Sequence, residues 1–441
     1  TQHHPRRVLS SGFTLAVTIG GIIGLGVLRT PGEVAAVAPS PWMFVSIWVV
    51  SGLFILLSTV VAGELLGITQ RSGGAYTLVR RAYGPFPGFV IGWVDWLSFV
   101  CDIALKAVVV TEFAALLIPE AERWRTPLAI MVSTVFAALQ LRSIALGARI
   151  QEIAAAATAL IVVGFTLALV FAGAAVSGDA TSVPHSAGGL GPWSLVVAST
   201  IYAYDGWLYA AYFGGEIKGG GGAVVRASIK GLLIVILLYV LLMAALAWKV
   251  PLTGLAGHKL ALAGALEMVV SPLASTIVLV AAIVILLAHQ NLLYMSTPRI
   301  LQALAVDGLA SRRARGISKG GNPIFAVLLS WGLSVGLIMI SGFEFLLHLT
   351  AFFYLFLYAL VIAGVVILRV RQPNIDRPYR AWGHPWTTWA CLFGWLLMGL
   401  FQAALEIETA AYAGIMVAIA WPTYRALVRR ASKGLGTKGT A

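Results

Sequence analysis

Charge is what this chain has least of. Only 11% of its 441 residues are Asp, Glu, Lys or Arg, where a soluble domain carries about 25%. With 59% hydrophobic residues, there is too little polar surface to coat a fold in water. Cysteine is nearly absent as well. Cys101 and Cys391 both fall inside apolar runs, which excludes a disulfide-stapled external scaffold. None of Asn291, Asn322 and Asn374 begins an Asn-x-Ser/Thr acceptor, so no N-glycosylation is expected. There is no His-Glu-x-x-His, and the seven histidines do not cluster at ligand spacing. A metal-dependent membrane enzyme is therefore not expected, and no cofactor is implied. The glycine run 219–222 is not followed by Gly-Lys-Ser/Thr, so it is no phosphate loop; it reads as the end of a helical span.

What is present is a succession of apolar runs of membrane-crossing length, where about 20 residues suffice. Twelve are read: 11–30, 42–68, 88–117, 126–142, 150–176, 192–217, 228–249, 271–305, 323–341, 343–369, 386–405 and 409–427. No signal-peptide pattern precedes the first. No linker separates soluble domains, so residues 1–441 are expected to form one membrane domain. The net charge of +13 invites a nucleic-acid reading, but its distribution argues for topology. Arg6, Arg71, Arg80, Arg142, Arg226, Arg312, Lys319, Arg371, Arg429 and Lys438 fall on one side, with most other cations; Arg29, Arg123, Arg125, Lys249 and Lys259 fall on the other. Cations gather on the cytoplasmic face, so both termini are expected inside, in a bacterial-type inner membrane. The loop 70–87 predicts a short helix lying at the cytoplasmic surface, and 251–268 a short external one.

Two runs are interrupted at matching places. The first holds Gly20-Gly21-Ile22-Ile23-Gly24-Leu25-Gly26, the second Tyr202-Ala203-Tyr204-Asp205-Gly206-Trp207. In a bilayer an unpaired backbone group costs several kcal/mol, so unwound chain survives only where it lines a cavity. A matched pair of broken spans points to a secondary transporter's substrate site. A free amino acid presents a carboxylate and an ammonium, and broken helices can hold both. The N–H groups around Ile23, Gly24, Leu25 and Gly26 are assigned to the carboxylate. Carbonyls around Gly20, Tyr202, Ala203 and Asp205 are assigned to the ammonium. The competing reading is that these glycines only permit close helix packing.

Asp205 is a carboxylate at membrane depth, costing at least about 2.5 kcal/mol on insertion scales. Such a group needs a partner or a function. The candidates are a substrate cation, Lys106, a proton, or capping of the half-helix after the break. Lys106 has Asp102 one turn earlier on the same helix face. The pair either neutralises itself or supplies a cation beside the path. His289-Gln290-Asn291 is expected mainly to bridge spans by hydrogen bonds; Glu64, Glu112 and Glu152 receive no role.

Several stretches together resemble the amino acid–polyamine–organocation superfamily, close to its bacterial L-type amino acid transporters. They are Gly24-Leu25-Gly26-Val27-Leu28, Ser72-Gly73-Gly74-Ala75-Tyr76, Tyr204-Asp205-Gly206-Trp207 with Glu216-Ile217-Lys218, Pro298-Arg299 through Asp307-Gly308-Leu309, and Asp376-Arg377-Pro378-Tyr379-Arg380. The resemblance covers about 10–405. It implies an all-α membrane protein of 12 transmembrane helices, a 5+5 inverted repeat of the leucine-transporter type with helices 1 and 6 broken. Repeat one would span about 11–176 and repeat two about 192–369, with the last two helices at about 386–427. The function implied is alternating-access transport of amino acids, neutral ones first, by exchange or proton symport; cationic amino acids or polyamines are the alternative. Tyr202 sits where similar transporters carry an aromatic gate, and Trp207 near their side-chain pocket. Thr158 replaces a lysine found in proton-coupled or uncoupled relatives. With Ser296 and Thr297 it offers hydroxyls where sodium-coupled relatives bind their ion, so the coupling ion is either proton or sodium. No disulfide-linked heavy subunit is expected, because the external loop 118–125 has no cysteine.

Overall fold

The computed structural model describes residues 7, 9–173, 190–256, 258, 260–340, 343–405 and 407–436. Most of the connection 177–191, with Arg6, Lys259 and Lys438, lies outside them. Helix dominates, and no strand occurs among the described residues. The elements are α1 (Ser11–Ile22), α2 (Gly26–Ala35), α3 (Pro41–Ile68), α4 (Ala75–Tyr83), α5 (Pro85–Leu117), α6 (Arg125–Arg142), α7 (Ile144–Phe171) and α8 (Leu190–Ala203). They continue with α9 (Gly220–Lys249), α10 (Leu252–Leu255), α11 (Ala261–Val269), α12 (Leu273–Val306), α13 (Ile324–Ile340), α14 (Phe343–Arg371), α15 (Trp386–Leu405) and α16 (Ile407–Gly436). Among the described residues seven helices are long and apolar enough to cross a membrane, or eight when α1 and α2 count as one span bent by 40°. Each of the twelve expected runs contains helix.

Local chemistry sets the boundaries. Ser10 and Ser40 cap α1 and α3 by accepting from the N–H groups of Phe13 and Met43. Pro41 and Pro85 occupy first turns, where a missing N–H costs nothing. The core is built where α5 lies along α12 and α3 along α9, with α1 held between α7 and α9.

Three expectations change. The glycines 219–222 open a helix instead of ending one. Gly219 takes φ +95 as the N-cap of α9, and a Cβ on Gly221 would stand 2.0 Å from the Gly67 carbonyl oxygen. Close approach of α3 and α9, rather than termination, requires glycine there. Second, α4 forms as predicted but does not lie on the surface: Ala75 to Val79 and Ala82 are all buried, against α5 and α14. Third, the sixth run is α-helical only before its break. Residues after Ala203 form turns and a 3-10 stretch, Tyr209–Phe213. Gly206 takes φ +99 with its Cβ position 2.3 Å from the Gly21 oxygen, so no other residue fits and no helix continues.

Glu64, given no role by sequence, clasps the end of α14 and the loop that follows it. Its carboxylate accepts from Arg369 Nε (2.9 Å) and Nη2 (2.6 Å), Arg377 Nε (2.9 Å) and the Ala381 N–H (2.8 Å). Glu64→Ala removes the carboxylate shared by Arg369 and Arg377, leaving Arg377, with only 6% of its side chain exposed, on neutral backbone carbonyls alone. Unfolding in detergent is expected to become easier by about 3–5 kcal/mol. An unchanged thermal midpoint would show the clasp to be dispensable.

Candidate functional site

The two breaks meet. Helix α1 ends at Ile22, and Ile23 to Leu25 run free of helix before α2 begins at Gly26. A Cβ on Gly26 would stand 2.6 Å from Ala203 Cα, so α2 and the end of α8 touch backbone to backbone. Gly20 and Gly21 are still helical. The first packs on Gln151 and Ala155 of α7, the second on Tyr209. For Gly20, Gly21 and Gly26 close packing thus suffices to explain the glycine. Gly24 differs: its nearest neighbour is His289 Nδ1 at 3.6 Å from the Cβ position. Gly26→Ala is accordingly expected to destabilise the fold by about 1–3 kcal/mol, while Gly24→Ala leaves the thermal midpoint unchanged and narrows the cavity. Melting both variants side by side checks this.

Beside the junction lies a cavity of about 260 Å³. Its wall includes Gly21, Ile22, Gly24, Leu25 and Gly26 from the first break and Tyr202, Ala203 and Asp205 from the second. Asp102, Lys106 and His289 line it as well, with Tyr354, Tyr358 and Trp395. It extends along α2 to Arg29 and Glu33, whose side chains are 36% and 43% exposed and pair at 3.6 Å. Gly20, Ile23 and Trp207 do not line it. Trp207 stands behind, its ring 4.9 Å from Tyr358 and 6.5 Å from Trp395, its indole N–H buried without a partner.

The orphan groups of the first break are partly taken. Tyr239 of α9 donates to the Ile22 carbonyl (3.1 Å), and the Gly24 N–H faces the same hydroxyl. This leaves the first N–H groups of α2, which like those of any helix have no intrahelical acceptor. At the second break, the Asp205 carboxylate accepts from Tyr358 and from the Gly206 N–H. Among the described residues it has no ion pair. Lys106 and Asp102 do pair, at 2.7 Å, both buried.

The three polar residues of α12 point apart, as successive helical positions must. His289 faces the cavity, Gln290 donates to the Ile103 carbonyl (3.2 Å), and Asn291 joins Gln140, Gly147 and Gln151. His289 Nε2 meets the Tyr209 hydroxyl at 3.2 Å, while Nδ1 is buried without a partner. Read as bridges from the sequence, the trio hides His289; periodicity does not say which of three neighbours faces a hole. Nor does the sequence mark Tyr354, Tyr358 and Tyr239, which are aromatics in apolar runs like many others. Ser296 and Thr297 donate to their own helix, to Leu292 (2.9 Å) and Leu293 (2.7 Å), and the Thr158 hydroxyl is buried without a partner. None of the three lines the cavity.

Opposite the Arg29–Glu33 mouth the path is shut. Leu9 pairs with Ile217 in a parallel bridge, through Leu9 N–H to the Glu216 oxygen (3.0 Å) and Lys218 N–H to the Leu9 oxygen (2.9 Å). Phe13 meets Phe213 edge-on at 5.1 Å. Arg299, 1% exposed, donates to Glu216 (3.3 Å) and Asn322 (2.8 Å). Nearby, Tyr76 of α4 donates to Asp307 (2.7 Å), and burial pushes its hydroxyl up to about 12, so it remains a donor throughout the physiological range.

A multi-pass helical bundle with a polar cavity between two facing breaks is the architecture of a membrane transporter. The chain belongs to the amino acid permease family, whose sequence pattern matches residues 13–421, within the amino acid–polyamine–organocation superfamily. It is similar to the serine/threonine exchanger SteT of Bacillus subtilis, 24% identical over 83% of this chain and 84% of that one. It is also similar to the mouse b(0,+)-type amino acid transporter 1, 23% identical over 83% and 77%. The L-asparagine permease 2 of Mycobacterium bovis is 24% identical over 76% and 72%. Family and relatives are transporters, not enzymes.

Proposed function

We propose that this chain is a twelve-span, 5+5 inverted-repeat carrier, with both termini in the cytoplasm of an inner membrane. It moves amino acids by alternating access. Spans one to five (about 11–176) and six to ten (about 192–369) form the repeats, and the last two helices are appended. The observation that carries this reading is the cavity: it lies where the two broken segments touch and is shut on one side only. The substrate carboxylate is held by the opening N–H groups of α2 at Leu25 and Gly26, a positive dipole end. The ammonium goes to the Asp205 carboxylate and to carbonyls at Tyr202 and Ala203. The Tyr202 ring covers it, and His289 Nδ1 meets the substrate's polar atoms. The Asp102–Lys106 pair contributes no net charge to the wall, which favours neutral L-amino acids. The names of the relatives, which include serine, threonine and asparagine, agree with this.

A second reading has one specific support. Asp205 lines the cavity and, among the described residues, has no ion pair, so a lysine or arginine side chain, or a polyamine, has a counter-charge waiting. Counterflow in proteoliposomes with labelled L-serine, L-threonine, L-asparagine, L-leucine, L-arginine and putrescine separates the two, and repeating it with and without sodium tests the hydroxyls of Thr158, Ser296 and Thr297. Saturable counterflow of the neutral set is the expected result. Unitary currents, or no counterflow with any probe, would end the carrier reading.

A further inference from the structure

Asp95 lies on α5 seven residues before Asp102, about 10 Å along the helix, on the shut side of the cavity. It is 0% exposed. Its Oδ1 accepts from the Tyr212 hydroxyl at 2.9 Å, but Oδ2 is buried with no hydrogen-bond partner. Among the described residues Asp95 has no ion pair. Among the described residues, the titratable groups near enough to act on it electrostatically are acids or phenols, and Tyr212 is the one in contact. Asp205, Tyr209 and Tyr212 come from the irregular stretch after α8, and Tyr358 from α14. From α4, Tyr76 packs on Gly92, but its hydroxyl is given to Asp307. A carboxylate buried at membrane depth without a cation is costly. A single proton on Oδ2 removes the charge and the orphaned acceptor together.

We propose that Asp95 is a proton-binding site that couples transport to proton movement, loaded while the shut side is closed and emptied when it opens. This rests on the carrier reading above. The release device is the 3-10 stretch. Gly73 and Gly74 donate to the carbonyls of Tyr212 (3.3 Å) and Ala211 (3.2 Å), and a Cβ on Gly74 would stand 2.0 Å from the Tyr212 ring. Opening this side must move that stretch. Tyr212 then leaves Oδ1, water reaches the carboxyl, and the proton passes to the water. On the cavity side, the Tyr209 ring stands 5.8 Å from that of Tyr212, with its hydroxyl on cavity-lining His289.

The test uses the full chain in proteoliposomes and whichever of the six probes shows counterflow. Counterflow at equal pH reads the carrier; net uptake under an acid-outside gradient reads the proton. For one proton per substrate, one pH unit is expected to give about tenfold accumulation by the wild type. Asp95→Asn keeps a shape and an oxygen for Tyr212 but cannot cycle a proton, so it should retain counterflow and lose the whole tenfold gain. Wild-type net uptake indifferent to the gradient, or an Asn variant that keeps the gain, would overturn the proposal. Should Asp95→Asn fail to reconstitute, Tyr212→Phe decides: it must shift the pH profile of uptake, and an unmoved profile counts against Asp95. Absence of wild-type counterflow would instead remove the carrier reading underneath.

Discussion

Asp205→Asn is expected to raise the KM for uptake roughly 30- to 150-fold, corresponding to about 2–3 kcal/mol for a hydrogen bond to a charged group. The substitution is nearly isosteric, and an amide oxygen still accepts from Tyr358 and the Gly206 N–H. The turn after α8 therefore keeps its local bonds, and the thermal midpoint should hold. What disappears is the negative charge on the cavity wall. If that charge meets the ammonium common to all amino acids, every substrate loses affinity alike. If it meets a basic side chain instead, L-arginine loses affinity while L-serine and L-asparagine do not. Titrating uptake of these three distinguishes the roles, and an unchanged KM for all would remove Asp205 from the site.

Much of the helical arrangement was legible because lipid imposes one rule, that apolar length and helix go together. The break at Ile23 to Leu25 could be read from its glycines, and the pairing of Asp102 with Lys106 from their i,i+4 spacing. Other features belong to tertiary contact and leave no local mark. Glycine reads the same whether it ends a helix or lets two backbones touch; only the Gly67 oxygen beneath Gly221 decides between them. The irregular chain after Asp205 is held by Gly206 against Gly21, a pairing across more than a hundred residues that no window of sequence contains.

The site was legible to a similar depth. Unusual placement, a charge or a glycine in an apolar run, marks its residues, and six of the nine assigned to substrate line the cavity: Gly24, Leu25, Gly26, Tyr202, Ala203 and Asp205. Gly20, Ile23 and Trp207 are marked only by adjacency and do not line it; Gly20 packs on Gln151, Ile23 is buried, and Trp207 packs on Tyr358. Asp95 carries the same signature as Asp205, yet its distinction is an oxygen without a partner, which only coordinates reveal.

The closure opposite the mouth yields the second large effect. Glu216→Gln should favour opening on that side by about 2–3 kcal/mol, a shift of roughly 30- to 150-fold in the ratio of open to closed. Arg299 is 1% exposed, and Glu216 supplies its negative partner, alongside neutral acceptors on Asn322 and Met295. Removing that charge leaves a buried cation in the closed state, whereas in an open state water solvates it; the closed state therefore bears the whole penalty. Phe13, 1% exposed and packed on Phe213, is a reporter of the same closure. Both native thiols are buried, so a Phe13→Cys probe reads above a low background with an impermeant thiol reagent. Faster labelling in the Glu216→Gln background is the expected outcome. Replacing the pair together, Glu216→Leu with Arg299→Met, strands no charge and should return labelling toward the slow rate. Equal labelling in all three would mean that this ion pair does not hold the door.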